Sequence, residues 1–133
     1  MHALIVAAHP DPESLTHAIA AKVASGIAAS GAQHSWEIAD LAAEGFDPRY
    51  TRIDHALLLK QAVPSADVAA EHARLERANA LVLVYPIYWW SFPALLKGWI
   101  DRVFTQGWAY EDDANGKLVK KLEETGAMAY SIV

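Results

Sequence analysis

Two uninterrupted apolar runs, residues 3–8 (ALIVAA) and 80–85 (ALVLVY), constrain this chain more than any other feature. A strand with one wet face alternates apolar and polar residues. These runs have no polar face, so each needs cover on both sides, as strands do in a parallel sheet between helices. The sequence between them supplies that cover. Ser14 can cap a helix in which Leu15, Ile19, Val23 and Ile27 recur every fourth position, ending near Gly31. Residues 34–39 read as a second strand. The stretch through Phe46 and Tyr50 is irregular, because Gly45 and Pro48 break regular structure. Beyond Pro64 a helix is expected over 66–78, with Glu71 and Arg74 three apart.

Pro86 ends the second apolar run, and Pro93 suits the first turn of a helix. In that helix Leu95, Leu96, Trp99, Ile100, Val103 and Phe104 share about half the circumference, and Lys97, Asp101, Arg102 and Thr105 fill the other half. So wide an apolar face is either all core or partly a surface for a partner subunit. Gly116 and Gly126 bracket a further short helix, and residues 127–133 read as a last strand. Strands alternating with helices make a parallel α/β sheet in a single domain over residues 1–133. The last strand lacks a helix after it, so we expect either a fragment or a partner chain that covers the sheet.

Composition narrows the function classes. The chain has no cysteine, hence no disulfide, no thiol nucleophile and no thiolate metal site, as suits a cytoplasmic protein. Its net charge of −5, with Lys and Arg scattered, gives no footprint for nucleic acid and no polybasic membrane anchor. The first residues carry neither a cationic region nor a cleavage signature and read as a strand rather than a signal peptide. Residues 80–96 lack charge, but Pro86 and Pro93 interrupt them and they fall short of the ~18 apolar residues of a spanning helix.

The turn after the first run, VAAHPDPESLT, has more than one reading. A turn entering a helix aims free N–H groups and the positive end of the helix dipole at an anion. Ser14 and Thr16 add hydroxyls, His9 adds an imidazole N–H, and Asp11 and Glu13 must then face solvent. In a second reading, His9-Pro10-Asp11 resembles the His-Pro-Asp-Asp zinc motif of deacetylases acting on N-acetylglucosamine-containing substrates. There the His and second Asp bind zinc and the first Asp acts as base. Pro12 stands at the second Asp and has no donor atom, which removes a ligand from a site that wants three. In the third reading Ser14 is a plain cap and His9 a turn residue.

The second loop decides between them. In a doubly wound sheet, ligands bind beyond the carboxyl ends of the strands where the strand order reverses, and both loops lie there. Tyr85, Tyr88, Trp89, Trp90 and Phe92 suit a flat ring system, unless they plug the sheet edge or a dimer contact. A phosphate seat beside an aromatic shelf describes a flavin nucleotide site.

YPIYWWSFPALLKGWIDRVF, followed by Gly107-Trp108-Ala109-Tyr110, resembles the signature of the NAD(P)H:quinone oxidoreductases with a flavodoxin-like fold. This family includes the bacterial modulator of drug activity B and the ancillary oxidoreductases of potassium efflux systems. The likeness runs from His2 to Val133 and includes the turn at His9, Asp40-Leu41 and Phe46-Asp47-Pro48. It implies an α/β three-layer sandwich with parallel sheet order 2-1-3-4, the family's fifth strand and last helix being absent here. It also implies FAD or FMN as cofactor and NAD(P)H as electron donor to a quinone or similar small-molecule acceptor. His9, Ser14, Leu15 and Thr16 would hold the flavin phosphates, and Pro86, Ile87, Tyr88, Trp89 and Trp90 would line the isoalloxazine. Trp89 and Trp90 would also shape the pocket shared by nicotinamide and quinone. Tyr110 would reach the other subunit's site in a homodimer, and Lys97 and Arg102 would serve structure. No side chain need act as nucleophile, because the flavin carries the difficult chemistry. The family continues with a Thr-Gly-Gly type loop over the flavin, where this chain stops. A cofactor-free regulatory or assembly module is therefore the alternative, with the zinc hydrolase behind it.

Overall fold

The computed structural model describes residues 1–121 and 128–132. Four parallel strands, β1 (His2–Ala7), β2 (Ser35–Asp40), β3 (Ala80–Val84) and β6 (Met128–Ile132), form one sheet in the order β2-β1-β3-β6. Helices α1 (Leu15–Ala29), α2 (Arg52–Leu58), α3 (Ala66–Arg77) and α4 (Ala94–Val103) connect them, and β4 (Tyr110–Asp112) and β5 (Leu118–Lys120) pair as a small antiparallel hairpin. The expected strand order is present, with β6 as its fourth strand; Ala127 and Val133, the ends of the expected strand, lie outside the described residues.

The apolar runs are buried for the reason inferred from their composition. Along β1, Leu4 and Val6 face a core layer with Leu75, Leu81, Leu96, Trp99 and Val103. Ile5 and Ala7 face the opposite layer, with Ala20, Ala24, Val82 and Val84. Successive side chains of a strand point to opposite faces, so one apolar run feeds two cores. The first core is closed by α3 and α4 and the second by α1, giving three layers.

Two local expectations need correction, and two further features were not announced in full by the sequence. Thr16, Ala20 and Ala24 are the buried line of α1, whereas Leu15 is 75% exposed. Small residues let the helix lie close on the sheet, and Ile19, Val23 and Ile27 pack beside that line. Helix α2 has no strong apolar period. It forms because Thr51 and Asp54 make a reciprocal capping box, with Thr51 Oγ1 accepting the Asp54 N–H and Asp54 Oδ2 accepting the Thr51 N–H. Arg102, expected to serve structure, is buried, with its Nε donating to Asp54 Oδ2 at 3.0 Å and Nη1 to Asp67 Oδ2 at 2.7 Å. Finally, β5 stands where the sequence led us to expect a helix between Gly116 and Gly126. Gly116, at φ 74°, completes a turn on Asp113, whose carboxylate takes the N–H groups of Asn115 and Lys117, so the chain reverses into a hairpin. The rest of that expected helix, residues 122–125, lies outside the described residues.

Candidate functional site

The strand order reverses between β1 and β3, and the loops leaving their carboxyl ends lie side by side. The Ala8 N–H donates to the Val84 carbonyl at 3.1 Å and ties the two exits together. Beyond this bond, the turn from β1 into α1 is built by its own polar atoms. The Asp11 N–H donates to His9 Nδ1 at 3.0 Å, the Glu13 N–H to Asp11 Oδ1 at 2.9 Å and the Ser14 N–H to the Asp11 carbonyl at 3.1 Å. An N–H can only donate, so Nδ1 of His9 accepts and the neutral ring carries its proton on Nε2. Asp11 and Glu13 are exposed, as an anion seat requires.

Ser14 caps α1 by accepting the His17 N–H. The Leu15 and Thr16 N–H groups, first in the helix, have no acceptor within it. A cavity of about 170 Å³ opens in front of them, with His9, Ser14, Leu15, Thr16, Tyr85 and Pro86 in its wall. Five of the expected cofactor residues are thus brought together. Two helix-start amides, two hydroxyls and an imidazole N–H, without an inward carboxylate, are donors of the kind that suits an anion.

Ile87, Tyr88, Trp89 and Trp90 stand in the neighbouring loop, outside that cavity wall. Tyr88 and Ser91 exchange both backbone hydrogen bonds at 3.1 Å, closing a two-residue turn with Trp89 and Trp90 at φ 49° and 59°. Such turns favour Asn and Gly, and a left-handed conformation costs an ordinary residue ~1–2 kcal/mol. Strain here holds two indoles in water, 88% and 86% exposed, with ring centroids 5.7 Å apart. Beneath them Tyr85 and Phe92 pack edge to face at 5.0 Å and anchor the loop on the core. The loop therefore presents two exposed indoles a few residues beyond Tyr85 and Pro86 of the cavity wall.

Tyr110 is placed elsewhere. It lines a separate cavity of about 450 Å³ beside Tyr50, Asp54, Ile100 and Phe104, which shares no residue with the anion seat. Lys97 is bound to Asp101 on its own helix at 2.6 Å.

Sequence reasoning missed His17. Its Nδ1 lies 2.9 Å from Ser14 Oγ and its Nε2 2.8 Å from Asp40 Oδ2, so the end of β2 is linked through the imidazole to the cap of α1. A histidine three residues after a helix cap and an aspartate ending the adjacent strand were the available signals. Asp40 is partly buried, which pushes its carboxyl up, but the Ala43 N–H, the His17 contact and the Ala42 N–H outweigh burial and hold it below the usual carboxylate range. Among the described residues, no group of three or more His, Asp or Glu side chains is arranged to hold a metal ion, and no helix is long and apolar enough to cross a membrane.

Comparison with known proteins agrees with this fold. A family model described as flavodoxin-like fold matches residues 1–133. NAD(P)H dehydrogenase (quinone) 1 of Cavia porcellus is 34% identical over 126 residues, covering 81% of this chain and 44% of that protein. Among solved structures, an NAD(P)H:quinone oxidoreductase from Methanothermobacter marburgensis superposes with a TM-score of 0.87 at 30% identity, over 98% of this chain and 64% of that one. General stress protein 14 of Treponema denticola, solved in complex with FMN, gives a TM-score of 0.54 at 30% identity, over 84% of this chain and 52% of that one. The chain spans about half the length of the curated relatives it matches.

Proposed function

The chain belongs to the flavodoxin-like fold family, and on that premise we propose that it carries the cofactor site of a flavin-dependent NAD(P)H:quinone oxidoreductase. The observation that carries the reading is the pairing of the donor-lined cavity at His9, Ser14, Leu15 and Thr16 with the strained Trp89-Trp90 shelf, at the carboxyl ends of adjacent strands.

The residues fit FAD or FMN. His9 Nε2, the Leu15 and Thr16 amides and the Ser14 and Thr16 hydroxyls would hold the phosphate. Pro86, Ile87, Tyr88, Trp89 and Trp90 would line the isoalloxazine. When bound, flavin supplies hydride acceptance from NAD(P)H and two-electron delivery to a quinone. The protein binds, orients and excludes water. The exposed indoles give nicotinamide and quinone a common apolar wall, so donor and acceptor would use one pocket in turn. Tyr110, remote from the seat within one chain, would complete that pocket in a homodimer from the neighbouring subunit. The setting proposed is the cytoplasm, with small-molecule acceptors rather than nucleic acid as partners.

The test is the visible absorbance of the purified chain after mixing with FAD or FMN and gel filtration. The reading predicts a retained flavin spectrum that NAD(P)H bleaches and a quinone restores. A folded protein that leaves the column colourless with either flavin would contradict it.

A further inference from the structure

We propose that His17 is a proton-dependent positioning residue for phosphate binding, determining whether the Ser14 hydroxyl donates to a phosphoryl oxygen or is held by the imidazole. The inference rests on the flavin reading above and assigns a role to a residue outside the anion cavity.

The geometry fixes which nitrogen titrates. Asp40 Oδ1 accepts the Ala42 and Ala43 N–H groups at 3.2 and 3.1 Å, leaving Oδ2 to face His17. This carboxylate is ionised and accepts, so His17 Nε2 keeps its proton in both charge states. Protonation therefore takes place at Nδ1, the atom facing Ser14 Oγ. In the neutral ring, Nδ1 takes the Ser14 O–H, whose proton is then turned away from the mouth of α1. In the imidazolium, Nδ1–H donates to Ser14 Oγ instead, and the hydroxyl proton is free for an anion. The positive charge adds attraction of the same sign, so phosphate binding tightens as pH falls.

The groups facing His17 are few. Beside it is a hollow of about 370 Å³ whose other ionisable walls are Asp40, from β2, and His9, from the turn; Pro10, Pro12, Ala42 and Ala43 complete it. The His9 and His17 rings meet edge to face with centroids 6.5 Å apart. The order Ser-His-Asp is also that of hydrolytic triads, but Ser14 Oγ is committed to the helix end by accepting the His17 N–H.

The experiment measures FAD affinity of the 133-residue chain by flavin fluorescence quenching at about pH 5.5 and about pH 8.5, across which imidazole changes charge. FAD is chosen over FMN because a phosphomonoester itself titrates near pH ~6. Wild type should bind about three- to tenfold more tightly at the lower pH, the worth of one hydrogen bond. His17→Asn should lose most of this difference, and Ser14→Ala should keep only the smaller part owed to the imidazolium charge, although His17 is intact. Riboflavin, without phosphate, should show no slope with any of them. Nitrogen NMR of the ligand-free chain should show Nδ1 of His17, and not Nε2, changing protonation. A slope that survives in His17→Asn and disappears in His9→Asn would overturn the proposal and leave the flavin reading intact. Failure of every variant to bind FAD at either pH would overturn both.

Discussion

Arg102 Nε donates to Asp54 Oδ2 across 3.0 Å, with both side chains almost wholly excluded from water. The same guanidinium reaches Asp67 Oδ2 and the Asp47 carbonyl, and its charge lies 5.4 Å from the centroid of the Phe46 ring. One arginine therefore fastens α4 to the segment before α2, to α2 and to the start of α3. Arg102→Ala would leave the buried Asp54 carboxylate uncompensated and should destabilise the fold by about 3–5 kcal/mol. Urea unfolding measures this; a loss below about 1 kcal/mol would show that the pair is better solvated than its burial implies.

Acid should loosen the same fastening. Burial pushes the Asp67 carboxyl up, but hydrogen bonds from Arg102, Ser65 and the Val68 N–H outweigh it and hold the group below its ordinary 3.8. Asp40 is depressed in the same way. A carboxyl depressed on folding contributes stability above its unfolded pKa and loses it as pH falls through the folded value. Unfolding free energy should therefore hold with respect to these two groups above pH ~4 and decline below it. Asp67→Asn should flatten part of that decline, and an unaltered acid limb in this variant would remove Asp67 from the account.

Gly98 and Pro48 are in such close contact that a Cβ on Gly98 would run into the proline carbonyl and ring. Helix α4 needs a residue without a side chain there for the 46–50 segment to lie against it. Gly98→Ala should cost about 1–3 kcal/mol through overpacking, despite the better helix propensity of alanine. Thermal melts decide the sign, and a stabilised Ala variant would mean that the segment moves aside freely.

Replacing Trp89-Trp90 by Asn-Gly should relieve two left-handed tryptophans and raise ligand-free stability by about 1–2 kcal/mol. The same change should weaken flavin binding about tenfold by removing the shelf. Stability and affinity moving in opposite directions is the diagnostic result. Equal affinity would mean that the indoles do not touch the ring.

Ser14→Asp separates capping from anion binding. Aspartate caps as well as serine, so stability should change by less than about 0.5 kcal/mol. FMN affinity should nonetheless fall about tenfold or more, since a carboxylate would face the phosphate. Unchanged affinity would place the phosphate elsewhere.

Much of this arrangement was legible in the residues. The apolar runs at Ala3 and Ala80 identified strands buried on both faces, and Ser14 marked the helix start because capping is local chemistry. The strained turn was not legible, because Trp89-Trp90 has none of the Asn-Gly chemistry that announces such turns; only the Tyr88 to Ser91 bonds reveal it. His17 was invisible for a related reason: its partner Asp40 is 23 positions away and becomes a neighbour only when β2 pairs beside β1. The structural role of Arg102 was expected but its partners were not legible, because helical spacing says nothing about a carboxylate buried 48 positions earlier.

The sheet order also sets a timetable for synthesis. Ala3 pairs with Ser35's neighbour Trp36 on one side and with Ala80 on the other. A nascent chain emerging at roughly 5–20 residues per second can close the first pairing early, but the opposite edge of β1 stays open for several seconds more. Through that interval β1 exposes a free backbone edge, the kind of surface on which chains join one another. Ribosome-bound chains ending before β3 are therefore the species most in need of a chaperone.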